Sequence, residues 1–159
     1  MTKTKTWAVT SCSRLLVARL HPGSDVITEI KHICEVEQVK AACVTSLIGS
    51  LSQASYVYTV PFSLSKFGLA YTDPITLPGP LELLSGQGTI GTGKDGNISV
   101  HLHASMCDSD RLVYGGHLCD LGNTVAATVE VFVLEASAMD LVRIPDHESG
   151  FSFFTPMPG

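Results

Sequence analysis

Apolar and polar or soft residues alternate strictly along the ten positions from Ile98 to Cys107. A period of two is the signature of a β-strand that buries one face. The apolar set should therefore enter a core, and His101 and His103 should share the opposite face. At the rise of a strand, their Cα atoms lie about 6.6 Å apart. This separation allows two imidazole rings to reach the same metal ion.

The residues after Cys107 predict that the chain returns as the second strand of a hairpin. Residues 108–110 are typical of a turn, and residues 112–114 begin the returning strand. A loop of three residues would place His117 opposite His101, whereas an even loop length would turn His117 to the apolar face. Three neutral imidazoles with an open fourth position are a common arrangement for zinc. The predicted ligands are His101, His103 and His117, with Cys119 as a candidate fourth.

Histidines packed in a polar pocket, hydrogen-bonded to backbone or carboxylate groups, are the alternative to a metal site. Two carboxylates, Glu82 and Glu130, are further candidates for the chemistry of the site. They could orient ligating histidines or act as acid–base groups, and sequence spacing leaves both roles open.

The remaining hydrophobic patterns predict one main helix and several more strands. Apolar residues at helical spacing indicate a helix over residues 25–38, with Ser24 as its N-cap. Residues 61–80 are rich in proline and glycine and should form a long loop or an irregular edge strand. The phenylalanines after Pro145 should dock on the body of the protein. Further strands are predicted over residues 7–20, 41–47, 51–60, 81–90, 97–106 and 124–135, with turns at Gly49-Ser50 and at residues 94–97.

Two glycine-rich stretches resemble phosphate-binding loops but lack the required context. Residues 86–91 match G-x-G-x-x-G, and residues 88–94 match GxxxxGK. A dinucleotide fingerprint must open a helix, and the phosphate loop needs Ser or Thr after its lysine, where this chain has Asp95. The stretch is therefore predicted to be a strand followed by a turn, with no nucleotide cofactor.

Length and composition favour one domain that associates with copies of itself. The chain has 159 residues, of which 45% are hydrophobic and only 16% charged. We predict a single domain over residues 1–159, with its core at about 14–150 and short tails. Because so little charge is available to cover the surface, part of the apolar surface should be covered by another copy.

Charge and cysteine usage limit the partners and the compartment. The net charge is −5, with ten basic residues against fifteen acidic ones and no basic cluster, which disfavours nucleic-acid binding. Five cysteines without a CxxC spacing indicate free thiols and a reducing environment. The N-terminus has no apolar stretch of the signal-peptide type, and no apolar run approaches 18 residues. The expectation is a cytoplasmic protein that does not contact a membrane.

Six short motifs follow one another along the chain. They are RLHPGSDV at 19–26, LIGSL at 47–51, LELLSGQGTI at 81–90, HLH at 101–103, GGHL at 115–118 and TVEV at 128–131. In this order they resemble those of the PPC domain, or DUF296, family, which is shared by prokaryotes and plant AT-hook proteins. The resemblance covers about residues 14–150, and the combination is more specific than any one motif.

The resemblance implies a fold class of α/β, of the α+β type. A mainly antiparallel mixed sheet would carry one main helix packed on it, and the chain would assemble as a homotrimer. It also implies a zinc site, which would fall on His101, His103 and His117. The plant-type AT-hook is absent from this sequence, and the segment at residues 79–84 lacks the Arg and Phe of the plant partner-binding motif.

Three functions are compatible with these observations. The first is a stand-alone, homotrimeric binding or regulatory domain that holds a metal or a small-molecule ligand. The second is a zinc-dependent lyase or hydrolase, in which the same histidines hold the ion and Glu82 or Glu130 acts as base. The third is a DNA-associated transcriptional regulator, which the acidic charge disfavours. A non-enzymatic role is preferred, with catalysis left open.

Overall fold

The protein is dominated by β-structure, with one short helix among the residues described. The computed structural model describes residues 7–158. No helix among these residues is long and apolar enough to cross a membrane. The elements in chain order are β1 (Ser11–Leu20), α1 (Val26–Val36), β2 (Ala42–Val57), β3 (Thr59–Pro61), β4 (Leu69–Tyr71), β5 (Ile75–Gly93), β6 (Ile98–Cys107), β7 (Val113–Leu118), β8 (Thr124–Ser137), β9 (Met139–Asp146) and β10 (Phe151–Pro158).

Eight of these strands form one large sheet in the order β1-β8-β2-β7-β6-β5-β9-β10. The pairings are antiparallel except for a short parallel contact between β5 and β9. The prediction of a mainly antiparallel mixed sheet with one helix is thereby confirmed. Strand β2 pairs with both β5 and β7, and β6 also pairs with both, so these four strands close into a ring. The remaining strands, β3 and β4, form a separate ribbon.

Helix α1 begins at a cap that also ties it to a distant loop. The carboxylate of Asp25 accepts a hydrogen bond from the Thr28 backbone N at 3.1 Å. It also accepts bonds from the backbone N of Gly122 and of Asn123, both at 2.9 Å. The N-cap predicted at Ser24 is therefore wrong, and the Ser24 hydroxyl instead donates to the His21 carbonyl. A carboxylate with two oxygens can serve the helix and the loop together, which one hydroxyl cannot.

One apolar core lies between α1 and the sheet, and β6 contributes to it as its alternation predicts. Leu102 and Met106 are fully buried, and α1 packs against β6. Each buried Leu-sized side chain stabilises the fold by about 1.5–3 kcal/mol relative to exposure. Other core side chains are Val26, Ile27, Ile30, Leu47, Leu51, Leu81, Leu83, Ile90, Val129 and Val131.

The structure corrects the predicted turn at Gly49-Ser50. Strand β2 passes through these residues without turning, although its register shifts next to them. Gly49 has φ +149°, and a Cβ atom built there would lie 2.2 Å from the Thr128 carbonyl oxygen. The glycine is thus required for close approach of β8 rather than for a turn.

Four further predictions concern the proline- and glycine-rich segments and the C-terminal tail. Of the two alternatives for residues 61–80, the long loop is wrong, because the segment contains β4, which pairs with β3 in a short ribbon, and the start of β5. The phosphate-loop lookalike at residues 86–91 lies wholly within β5 and opens no helix, as expected. The turn at residues 94–97 is confirmed, and the phenylalanine-rich tail forms β10 against β9.

Candidate metal centre

The three predicted histidines are brought together by neighbouring strands. His101 and His103 project from β6 on the face away from Leu102, and His117 projects from β7. His117 pairs directly with His103 across the sheet and with Val57 of β2 on its other side. The third histidine therefore lies on a strand that is paired on both sides, which fixes the position of its backbone.

The predicted pairing of His117 with His101 is wrong by two residues. Cys107 pairs with Val113, so the hairpin loop contains five residues instead of three. The Asp108 carboxylate accepts hydrogen bonds from the backbone N of Asp110 and of Leu112, which stabilises this longer loop. Because five is also odd, His117 still lies on the histidine face of the sheet.

The distances between the imidazoles suit a shared metal ion. One ligand nitrogen from each of the three histidines lies within 4.8 Å of the others. The Nε2 atoms of His101 and His103 are 3.0 Å apart. Two nitrogens bound tetrahedrally to zinc at their usual distance are about 3.3 Å apart, so little movement is needed. The ring centroids of the three pairs lie 5.0, 4.7 and 5.4 Å apart.

Burial keeps these histidines in the neutral form that a metal requires. It lowers the pKa of His101 to about 4, with further contributions from His103 and Arg143. It also lowers the pKa of His117 to about 4, with contributions from the other two histidines and Arg143. Burial alone lowers the pKa of His103. At neutral pH every ring therefore offers a lone pair.

One ring nitrogen of the cluster has no hydrogen-bond partner in the described protein. Nδ1 of His117 is buried and unpaired. A buried polar atom without a partner costs free energy. A metal ion bound by this nitrogen would offset that cost. The donor types, their spacing and this unpaired atom fit a divalent cation such as zinc.

Aromatic side chains form a wall beside the cluster that sequence reasoning did not predict. Tyr71 stacks on the His117 ring with centroids 5.6 Å apart, and Phe151 packs edge-on against Tyr71 at 5.0 Å. Tyr71 lies on β4 and Phe151 on β10, both far from the histidines along the chain. No spacing in the sequence connects these residues to the site.

An open groove borders the cluster at His103. It has a volume of about 320 Å³ and is lined by His103, Gln87, Ser105 and small residues of β5, β6 and β7. Gly116 is one of these small residues, and a larger residue does not fit there because its Cβ atom would lie 2.5 Å from the Val57 carbonyl oxygen. The groove leaves a route by which a small molecule can approach His103.

The other predicted site residues lie outside the cluster. Among the residues described, the donor group that converges contains only the three histidines and does not include Cys119. Cys119 follows β7, and its backbone N donates to the Ser55 carbonyl at 2.9 Å. Glu82 and Glu130 line a different cavity, together with Ile48 and Thr128. The structure therefore does not bring the two carboxylates to the histidines.

Comparison with known proteins gives a consistent picture. A profile of the Plants and Prokaryotes Conserved (PCC) domain matches residues 8–137. A plant- and prokaryote-conserved (PPC) protein of Pyrococcus horikoshii has 26% sequence identity and a TM-score of 0.81, covering 98% of this chain and 100% of its own. A metal-containing protein of Archaeoglobus fulgidus has 28% identity and a TM-score of 0.78, covering 92% of this chain and 96% of its own.

A curated sequence also matches over part of its length. The bifunctional protein GlmU of Synechococcus sp. (strain JA-3-3Ab) is 30% identical over 142 residues, which is 89% of this chain. The aligned region is 20% of that protein, so the chain spans about a fifth of the length of this relative.

Proposed function

Because this chain belongs to the Plants and Prokaryotes Conserved domain family, we propose that it is a binding or regulatory module that holds zinc. The proposed ligands are His101, His103 and His117. The observation that carries this proposal is the convergence of their donor atoms within 4.8 Å, on strands that fix all three. The similarity to a metal-containing protein of Archaeoglobus fulgidus supports the same conclusion.

Three protein ligands would leave a fourth position of zinc open to a water or a small molecule. Cys119, the fourth ligand suggested by the sequence, does not converge with the histidines among the residues described. The groove beside His103 provides access to such an open position. We therefore favour a site that exchanges small ligands over a closed structural metal.

The module is proposed to act as a homotrimer, with the whole chain as one domain. Apolar side chains remain exposed on the face of the sheet away from α1, including Leu15 at 57% and Val17 at 61%. Ile48 and Leu84 extend this exposed surface across β2 and β5. Covering it with other copies would remove apolar area from water, which drives most protein association.

A zinc-dependent lyase or hydrolase is the second candidate. The open coordination position and the groove favour it, because a bound water could be activated there. It also needs a general base within hydrogen-bond reach, and Glu82 and Glu130 line a separate cavity. The binding module is therefore preferred. The third candidate, a DNA-associated regulator, is disfavoured by the net charge of −5.

Metal analysis of protein purified without a histidine tag tests the proposal. The wild type should contain close to one zinc per chain, and His103→Ala should lose it, because one of three ligands is gone. His32→Ala is the matched control, since His32 is an exposed histidine on α1 and lies outside the cluster. Zinc-free wild type that also fails to bind added zinc would contradict the proposal, as would equal zinc content in the His103 variant.

A further inference from the structure

A positively charged side chain lies beside the candidate metal centre without a carboxylate partner. Arg143 comes from β9, and its Nη1 donates to the Ser99 hydroxyl at 3.2 Å and to the Val100 carbonyl at 3.4 Å. Ser99 and His101 are two residues apart on the same face of β6, so these bonds place the guanidinium next to the cluster. Its charge contributes to the lowered pKa of both His101 and His117.

The guanidinium is fixed in place on several sides. It lies over the Phe154 ring at 5.6 Å from the centroid, and its Nε is buried without a hydrogen-bond partner. Within residues 7–158, no Asp or Glu forms an ion pair with Arg143. The protein therefore holds a partly buried cation by hydrogen bonds and packing, without the counter-charge that usually accompanies one.

Loading a divalent metal next to this cation makes the charge imbalance larger. Like charges at short range repel, and a partly buried site screens this repulsion less than bulk water does. Among the described residues, the carboxylate that acts on the pKa of His117 is Asp120, whose side chain is 70% exposed and pairs with Lys31. The loaded site would thus hold two positive charges, the metal ion and the Arg143 guanidinium, and the described residues offer little negative charge to neutralise them. An external anion would neutralise them.

We propose that the site binds a small carboxylate, with one oxygen on the metal and the other on the Arg143 guanidinium. This inference rests on the proposed function, because it uses the metal held by the three histidines. The planar guanidinium matches the geometry of a carboxylate, and hydrogen bonds between charged groups are the stronger kind.

The surroundings favour an organic carboxylate over a mineral anion. Tyr71 and Phe151 form an apolar wall on the His117 side of the cluster. Such a wall can pack against the carbon atoms of the ligand while the charged end faces the metal and Arg143. The described residues place one cationic side chain there, which suits a monoanionic group.

Cobalt substitution provides a direct test with acetate as the probe. Tag-free protein loaded with Co(II) is titrated with sodium acetate at constant ionic strength, and the visible absorption of the metal is followed. Acetate should change the spectrum of the wild type, whereas acetamide, a neutral molecule of the same shape, should not. In R143Q the acetate affinity should fall about 10- to 100-fold, because a charge-assisted hydrogen bond is lost.

Two further readouts separate this role from simple structural support. R143Q should bind Co(II) itself at least as tightly as the wild type, since a like charge has been removed. R143K keeps the charge but loses the planar fork, so its acetate affinity should fall less than in R143Q yet several-fold below the wild type. If R143Q does not fold, the comparison of R143K with the wild type decides.

The outcomes distinguish the two proposals. A wild type that shows no Co(II) band before acetate is added would overturn the metal site, and this inference with it. A normal Co(II) band that does not respond to acetate would overturn this inference alone. So would equal acetate affinity in the wild type and in the Arg143 variants that fold.

Discussion

The two faces of strand β6 have opposite chemistry on the same backbone. Leu102 and Met106 on one face are fully buried against the helix and neighbouring strands. His101 and His103 on the other face meet His117, on which Tyr71 of β4 stacks, and Arg143 of β9 donates to Ser99 two residues before His101. The first face stabilises the fold, and the second carries the candidate metal ligands.

The comparison shows that position along this face separates the candidate ligands from the other polar side chains. Glu82 lies across from Cys107, the residue that continues the histidine face of β6, yet it remains exposed and lines a separate cavity. His101 and His117 are half-buried, and this loss of water favours their neutral form, whereas His103 is more exposed at the edge of the cluster. The same face therefore carries both a solvated carboxylate and the three histidines that are candidate metal ligands.

The largest effect should come from the buried face. Leu102→Ala should lower the free energy of unfolding by about 2–5 kcal/mol, because it removes buried methyl groups and leaves a cavity. Urea denaturation of the metal-free protein measures this change. His103→Ala is the matched control on the opposite face of the same strand and should change stability by about 0.5 kcal/mol or less. Equal losses in the two variants would contradict the division between the faces.

A smaller effect should appear as a pH dependence of the metal-free protein. His101 and His117 have pKa values of about 4 in the folded protein and about 6.5 when unfolded. Between these values the unfolded chain binds more protons, so the free energy of unfolding should fall as pH drops from 6.5 to 4. Without solvent screening, a pKa lowered from 6.5 to about 4 in both rings would correspond to about 7 kcal/mol. Because both rings are only half-buried, screening reduces this figure, and we expect a loss of about 2–4 kcal/mol for the pair, with no further change above about pH 6.5.

Thermal or urea unfolding across this pH range, in the presence of a chelator, measures the effect. The double variant His101→Gln with His117→Gln should lose the part of the slope that comes from the histidines, while titrating carboxylates act on both proteins. Parallel curves for the wild type and the double variant would show that the histidines are not held neutral by the fold.

The smallest effect should come from the exposed carboxylates on the same face. Glu82→Gln and Glu130→Gln should leave zinc content unchanged and alter stability by about 0.5 kcal/mol or less, because both side chains are exposed and outside the cluster. Zinc content and urea unfolding measure the two quantities. Loss of zinc in either variant would show that these carboxylates support the histidines, and would restore the enzymatic alternative.

Local patterns were sufficient for much of the fold and for the identity of the candidate ligands. The alternation in β6 predicted which of its residues face the core. The helical spacing of apolar residues located α1 within two residues of its observed ends. These signals are reliable because they follow from backbone geometry alone. The histidines on β6 were therefore placed on one face without any tertiary information.

Loop length and close approach between strands could not be predicted from the sequence. The hairpin loop was two residues longer than predicted, because the Asp108 carboxylate also reaches the backbone N of Leu112, which a turn preference at Asp108 does not specify. Gly49 was taken for a turn, whereas it allows β8 to approach β2. In both cases the deciding partner lies across the sheet or within the loop, where sequence patterns carry little information.

The sequence by itself determined that two histidines share a strand face and that a third stands on the returning strand. Only the tertiary structure decided that all three meet, that Glu82, Glu130 and Cys119 do not join them, and that Tyr71 and Arg143 do lie beside them. Periodicity reports the direction of a side chain relative to its own backbone. Distance, burial and electrostatic surroundings depend on how strands far apart in the chain pack together, and these set the chemistry of the site.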